Sequence, residues 1–84
     1  MYYYIVYGSV TYANRIKRFF DNEKGFVGVL HTPSSISTGG CSYSVKLDRV
    51  KAKRAIELSR EYNIKIRGIY KQNADGTFIK VEIL

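Results

Sequence analysis

The strongest constraint on the fold is a hydrophobic period that switches from about two residues to about 3.6 and back, twice over, within 84 residues. Tyr2–Gly8 (YYYIVYG) is apolar, aromatic and stopped by glycine, which predicts a strand buried on at least one face. Ser9 then suits a helix N-cap, and Ala13, Ile16 and Phe20 recur at helical spacing with Tyr12 and Phe19 on the flanks. Gly25 follows the last polar turn and suits the helix stop. Phe26–His31 (FVGVLH) and Cys41–Leu47 (CSYSVKL) read as a second and a third strand. Asp48 caps a second helix that carries Ala52, Ala55, Ile56, Ser59 and Tyr62 on one face, with Asn63 ending it in a left-handed conformation. Ile64–Lys71 alternates as a strand with a bulge at Gly68. Asn73–Gly76 (NADG) is a turn, and Thr77–Leu84 alternates again, so the last two strands form a hairpin.

Strand, helix, strand, strand, helix, strand is the α+β plan of the ferredoxin-like split βαββαβ fold. It predicts an antiparallel sheet with two helices on one face and an extra C-terminal β-strand. The first strand lies between the third and fourth, and the second is at an edge beside the third. At this length the chain forms one domain, residues 1–84, with a small core. The fold hosts many unrelated functions and decides little about activity.

The bulk numbers bound the function classes. With 45% hydrophobic and 25% charged residues, the composition is that of a soluble globular domain. No apolar run approaches a membrane span, so no membrane partner is expected. The opening residues have no basic leader or cleavage site, and a single Cys cannot form an internal disulfide. Both fit a reducing cytoplasmic location. Fourteen basic against seven acidic residues give a net charge of +7, which attracts nucleic acid or acidic partners, or serves solubility alone.

The stretch His31–Lys46 (HTPSSISTGGCSYSVK) holds the only His, the only Pro and the only Cys of the chain. Two readings of Cys41 stay open. Gly39 and Gly40 permit positive φ, so their N–H groups can converge into a nest for an anionic sulfur, with Thr32, Ser37 and Ser42 as short hydroxyl donors beside it. Alternatively, Cys41 is a small buried hydrophobe at a strand start, and inert. His31 ends one strand and Cys41 begins the next, so a hairpin would bring them together and let His31 assist deprotonation. One Cys and one His cannot supply a structural zinc site, a catalytic triad has no evident acidic partner, and STGGCS lacks the lysine of a phosphate loop. No cofactor or metal is expected.

A non-catalytic binding module is the alternative. RNA-recognition domains share this strand order and stack bases on sheet aromatics. Tyr2, Tyr4 and Tyr43 would be that platform here, with the basic surface holding RNA or tRNA. The same tyrosine-rich face suits a homodimer contact.

From Tyr2 to Tyr70 the chain resembles a family of small prokaryotic proteins described as selenium/sulfur carrier-like, a domain of unknown function. The resemblance is carried by the aromatic opening strand, by Thr32-Pro33, Ile36-Ser37, Gly39, Gly40 and Cys41 in that order, and by IRGIY at Ile66–Tyr70. Ser34 and Ser42 stand where many members have Arg and Gly, and the hairpin after Tyr70 is an addition. The resemblance implies a Cys-dependent relay of sulfur or selenium, with Cys41 as carrier thiol. It also implies a cysteine desulfurase or selenium-pathway enzyme as partner, and no turnover of the chain's own.

Overall fold

The computed structural model describes residues 2–25, 27–37 and 42–82. The elements are β1 (Tyr3–Tyr7), α1 (Val10–Arg18), β2 (Gly28–His31), β3 (Tyr43–Leu47), α2 (Arg49–Glu61), β4 (Ile66–Gln72) and β5 (Phe78–Lys80). The strands form one antiparallel five-stranded sheet in the order β2-β3-β1-β4-β5. This is the expected α+β arrangement, with the extra strand paired to β4. No helix among the described residues is long and apolar enough to cross a membrane.

Period-two alternation sorts the sheet into two faces. Tyr3, Ile5 and Tyr7 of β1 join Val45 and Leu47 of β3 in the core beneath Ala13 and Ile16 of α1 and Ala52, Ala55 and Ile56 of α2. Tyr7 is fully buried, and its hydroxyl meets Ser59 Oγ of α2 at 2.7 Å. Ser59 Oγ donates to the Ala55 carbonyl at 2.7 Å, so its one proton is committed and Tyr7 is the donor of the shared bond.

The helix caps follow the sequence. Ser9 accepts from the Tyr12 N–H at 3.2 Å, and Asp48 Oδ1 accepts from the Lys51 N–H at 2.9 Å. That backbone bond holds the Asp48 carboxyl below its ordinary pKa, aided by the Lys51 ammonium, although desolvation opposes it. Asp48→Ala is expected to cost about 1 kcal/mol, and Asp48→Asn only a fraction of that. Because the folded pKa is the lower one, the contribution is complete above about pH 4 and fades as pH falls through the folded value. Thermal melts of both variants along the acid limb check this. An alanine variant as stable as wild type at neutral pH would refute it.

Asn63 sits at φ 56, as the left-handed stop requires. The Ile64 N–H reaches the Ser59 carbonyl at 2.8 Å and the Asn63 N–H reaches that of Arg60 at 3.3 Å, the two bonds of a Schellman motif. Ile64 therefore belongs to the helix cap and not to the strand, which starts at Ile66. The bulge expected at Gly68 lies beside it: Val6 faces Gly68 while Tyr7 faces Ile66, leaving Arg67 as the extra residue.

Three expectations are corrected. The first helix stops at Arg18 and does not run to Gly25, because the N–H groups of Phe19, Phe20 and Asp21 bond three residues back and tighten the chain. This turn delivers Phe20 into the core at 2% exposure, and Gly25, at φ +96, serves the later turn toward β2. Tyr62 leaves the buried face of the second helix and packs on Phe19, with ring centroids 5.3 Å apart. β5 spans three residues, and Ile83 and Leu84 lie outside the described residues.

Candidate functional site

The segment between β2 and β3 is closed at its stem by ladder bonds. His31 pairs with Tyr43, and the Thr32 N–H donates to the Ser42 carbonyl at 3.1 Å. Pro33 has no N–H, so the ladder ends there. The chain then makes one turn, with the Ile36 N–H on the Pro33 carbonyl at 3.1 Å.

This turn crosses the sheet face that carries no helix. Thr32 Oγ1 bonds Ser44 Oγ of β3 at 2.9 Å, and Ile36 reaches Val6, Ser42, Arg67, Gly68 and Tyr70 around a cavity of about 20 Å³. The cover accounts for the burial of Val6, Ser42 and Ser44, which a bare sheet face would leave wet. It also gives a physical reason for the IRGIY stretch. A Cβ on Gly68 would stand 2.8 Å from Tyr70 Cε1, so only glycine lets the Tyr70 ring lie across the strand. The bulge turns Arg67 along the sheet end, where its Nε lies 3.3 Å from the place a Cβ on Gly8 would take. Arg67 thus lines the same cavity as Ser42, the residue bonded to Cys41.

Of the residues singled out from the sequence, Thr32 and Ser42 come together. Ser37 follows the turn and is partly buried. Gly39, Gly40 and Cys41 lie outside the described residues. His31 is exposed, and its ring stacks on Tyr43 with centroids 4.5 Å apart at 36°. Both belong to the row of Tyr7, on the helix side, while Thr32 and Ser42 belong to the opposite face.

The same alternation separates the three tyrosines read as one platform. Tyr2 and Tyr4 share Lys46, whose Nζ stands 4.6 and 5.7 Å from their ring centroids, on the face without helices. Tyr43 faces the other way, in register with Tyr7. Tyr4 is only 4% exposed, with the Phe78 ring edge-on at 5.0 Å. Ser44 is one of the short hydroxyls near Cys41 in sequence, but its bond to Thr32 depends on where the loop lands. Nothing local marks Arg67, whose place depends on the bulge.

The sequence model of the family described as "Putative Se/S carrier protein-like" matches residues 2–71. The chain belongs to this family. No curated protein and no solved structure matches the chain. The family match runs from the residue before β1 to Lys71 in β4 and does not reach β5. Within the matched span, Thr32-Pro33, Ile36 and the IRGIY stretch of this chain fasten the β2–β3 loop over the sheet. Among the described residues, no group of three or more His, Cys, Asp and Glu could hold a metal ion.

The Thr32–Ser44 bond is testable on its own. Thr32→Val leaves the buried Ser44 hydroxyl without its partner, at an expected cost of about 1–3 kcal/mol. The Thr32→Val/Ser44→Ala double variant should recover most of that loss, because both polar groups are then gone. Urea titrations decide. A double variant no more stable than the single one argues against the clamp.

Proposed function

We propose that this protein is a thiol carrier in which Cys41 accepts a sulfane sulfur, or its selenium counterpart, from a donor enzyme and passes it on. The observation that carries the reading is the Se/S carrier-like family match, which runs through Cys41, the only cysteine of the chain. It is supported by the anchoring of both flanks of residues 38–41, through Thr32, Ile36 and Ser42.

In the loading step the Cys41 thiolate attacks the terminal sulfur of a donor persulfide. The new bond joins Cys41 Sγ to that sulfur, and the donor's own S–S bond breaks. Its cysteine leaves as a thiolate with the bonding pair. The transferred sulfur keeps its proton, and no outside oxidant or reductant is needed. In the unloading step an acceptor thiolate attacks the same sulfur and releases Cys41 as a thiolate. The protein's share of this chemistry is to hold the sulfur anion. The cavity beside Ser42 offers the Arg67 guanidinium for that, in place of the arginine that many members carry where Ser34 stands. A cysteine desulfurase or a selenium-pathway enzyme is the donor this chemistry requires, and the net charge of +7 suits an acidic docking surface on it. The test is mass spectrometry of the intact protein after incubation with a cysteine desulfurase and cysteine. It should find one added sulfur, about 32 Da, on Cys41.

A further inference from the structure

We propose that the outer face of the helical layer binds a single strand of nucleic acid through Tyr12, Arg15, Arg18, Phe19 and Tyr62. Phe19 and Tyr62 are 42% and 46% exposed, yet their rings are tilted only 32° from parallel with centroids 5.3 Å apart. One ring follows the end of α1 and the other the end of α2, so this pair is set by the packing of two helices and is formed before any ligand arrives. Tyr12, 41% exposed, lies on the same side of α1 with Arg15 between it and Phe19, by the helical spacing of positions 12, 15 and 19.

Arg15, Arg18 and Phe19 line a surface depression of about 290 Å³. Among the described residues the ion pairs are Lys17–Asp21, Lys51–Asp48 and Arg54–Glu23, so neither Arg15 nor Arg18 is neutralised by a carboxylate. The negative end of the α1 dipole favours cations in its last turn, which accounts for their charge. It does not account for exposed aromatic rings beside them.

Flat rings next to unpaired guanidiniums have one well-matched partner. Phosphate oxygens take the arginines and a base takes the ring face. An acidic peptide would satisfy the arginines and leave the rings without a flat counterpart. A second copy of this chain would bring the arginines against their own equivalents across a two-fold axis. The net charge of +7 adds long-range attraction for a polyanion. The surface uses no atom of the β2–β3 loop, so the proposal does not depend on Cys41.

The experiment is fluorescence anisotropy with labelled oligouridylate and oligothymidylate at about 50 and about 200 mM salt. Wild type and Cys41→Ser are expected to bind alike, and binding of either strand supports the surface and tells RNA from DNA. Phe19→Ala/Tyr62→Ala should weaken binding by about 5- to 140-fold for each base unstacked. Phe19→Tyr/Tyr62→Phe, which keeps both rings, should retain it. Arg15→Gln/Arg18→Gln should flatten the dependence of log affinity on log salt by about 1.4, for two phosphates released. Absence of binding at the lower salt overturns the proposal. So does affinity unchanged by the ring deletions, or equal competition by polyglutamate, which would mark an acidic protein as the partner. A dimer seen by light scattering that the ring deletions dissolve would also overturn it.

Discussion

Replacing Tyr7 by alanine is expected to remove about 3–5 kcal/mol of folding stability. A domain of this size has about 4–13 kcal/mol in total, so the variant loses a large share of its stability and is unfolded at room temperature if the total lies at the low end of that range. Tyr7 is fully buried at the C-terminal end of β1, flanked by Tyr43 of β3 and Ile66 of β4, and joined to α2 through Ser59. Tyr7→Phe keeps the ring and loses one hydrogen bond, and Ser59 still donates to Ala55, so about 1 kcal/mol is expected. The two variants also differ in their response to alkali. Burial pushes the Tyr7 hydroxyl from 10.0 up to about 12, with the Ser59 bond opposing. Below pH 10 both the folded and the unfolded chain keep this proton, and the contribution is constant. Between pH 10 and 12 the unfolded chain releases it and the folded chain does not, so stability falls as pH rises. The loss amounts to about 2–3 kcal/mol across that window. The informative quantity is the difference between wild type and Tyr7→Phe, which isolates this one hydroxyl. Urea unfolding at about pH 9 and about pH 11 should show the two converging as the pH rises. Parallel curves would mean that Tyr7 is not held neutral by burial.

The second large effect is chemical. Cys41→Ser should lose the whole sulfur adduct in the desulfurase assay while keeping the wild-type circular dichroism and melting temperature. A hydroxyl in place of the thiol cannot form the S–S bond on which the relay depends. Loss of loading without loss of fold separates the carrier reading from a structural role for the cysteine. Wild-type protein that takes up no sulfur from an active desulfurase, and whose thiol ignores iodoacetamide below about pH 8, would end the carrier reading. The nucleic-acid surface would be untouched by that outcome. Conversely, failure of the anisotropy experiment would leave sulfur loading where it stands.

The periods of two and 3.6 made the elements legible, and so did the short capping signals at Ser9, Asp48 and Asn63. These depend on a residue and its near neighbours, whose geometry is the same in any fold. The strand order was legible for a related reason, since right-handed crossovers leave few ways to join such elements. The end of the first helix was not. Ala13, Ile16 and Phe20 fit one helical face, but Phe20 reaches the core through a tighter turn that local spacing does not distinguish from a further helical one. Tyr62 misled for a like reason: its spacing fits the buried face, but it is the C-cap residue just past α2, with φ −98 and ψ 12, and its ring packs on Phe19 instead.

For the candidate site the division is sharper. The order Thr-Pro, Ile-Ser, Cys and the IRGIY stretch were enough to reach the Se/S carrier-like family, because a motif is a property of the chain and survives without coordinates. Which way those residues face depended on register. One step along a strand reverses a side chain, and that step put Tyr43 and His31 on the helix side and Thr32, Ser42 and Tyr4 on the other. The landing of Ile36 between β1 and β4, the hydroxyl of Ser44 under Thr32, and the swing of Arg67 at a bulge join residues far apart in sequence. No local pattern encodes such contacts, since they exist only once the sheet has brought β1, β3 and β4 side by side.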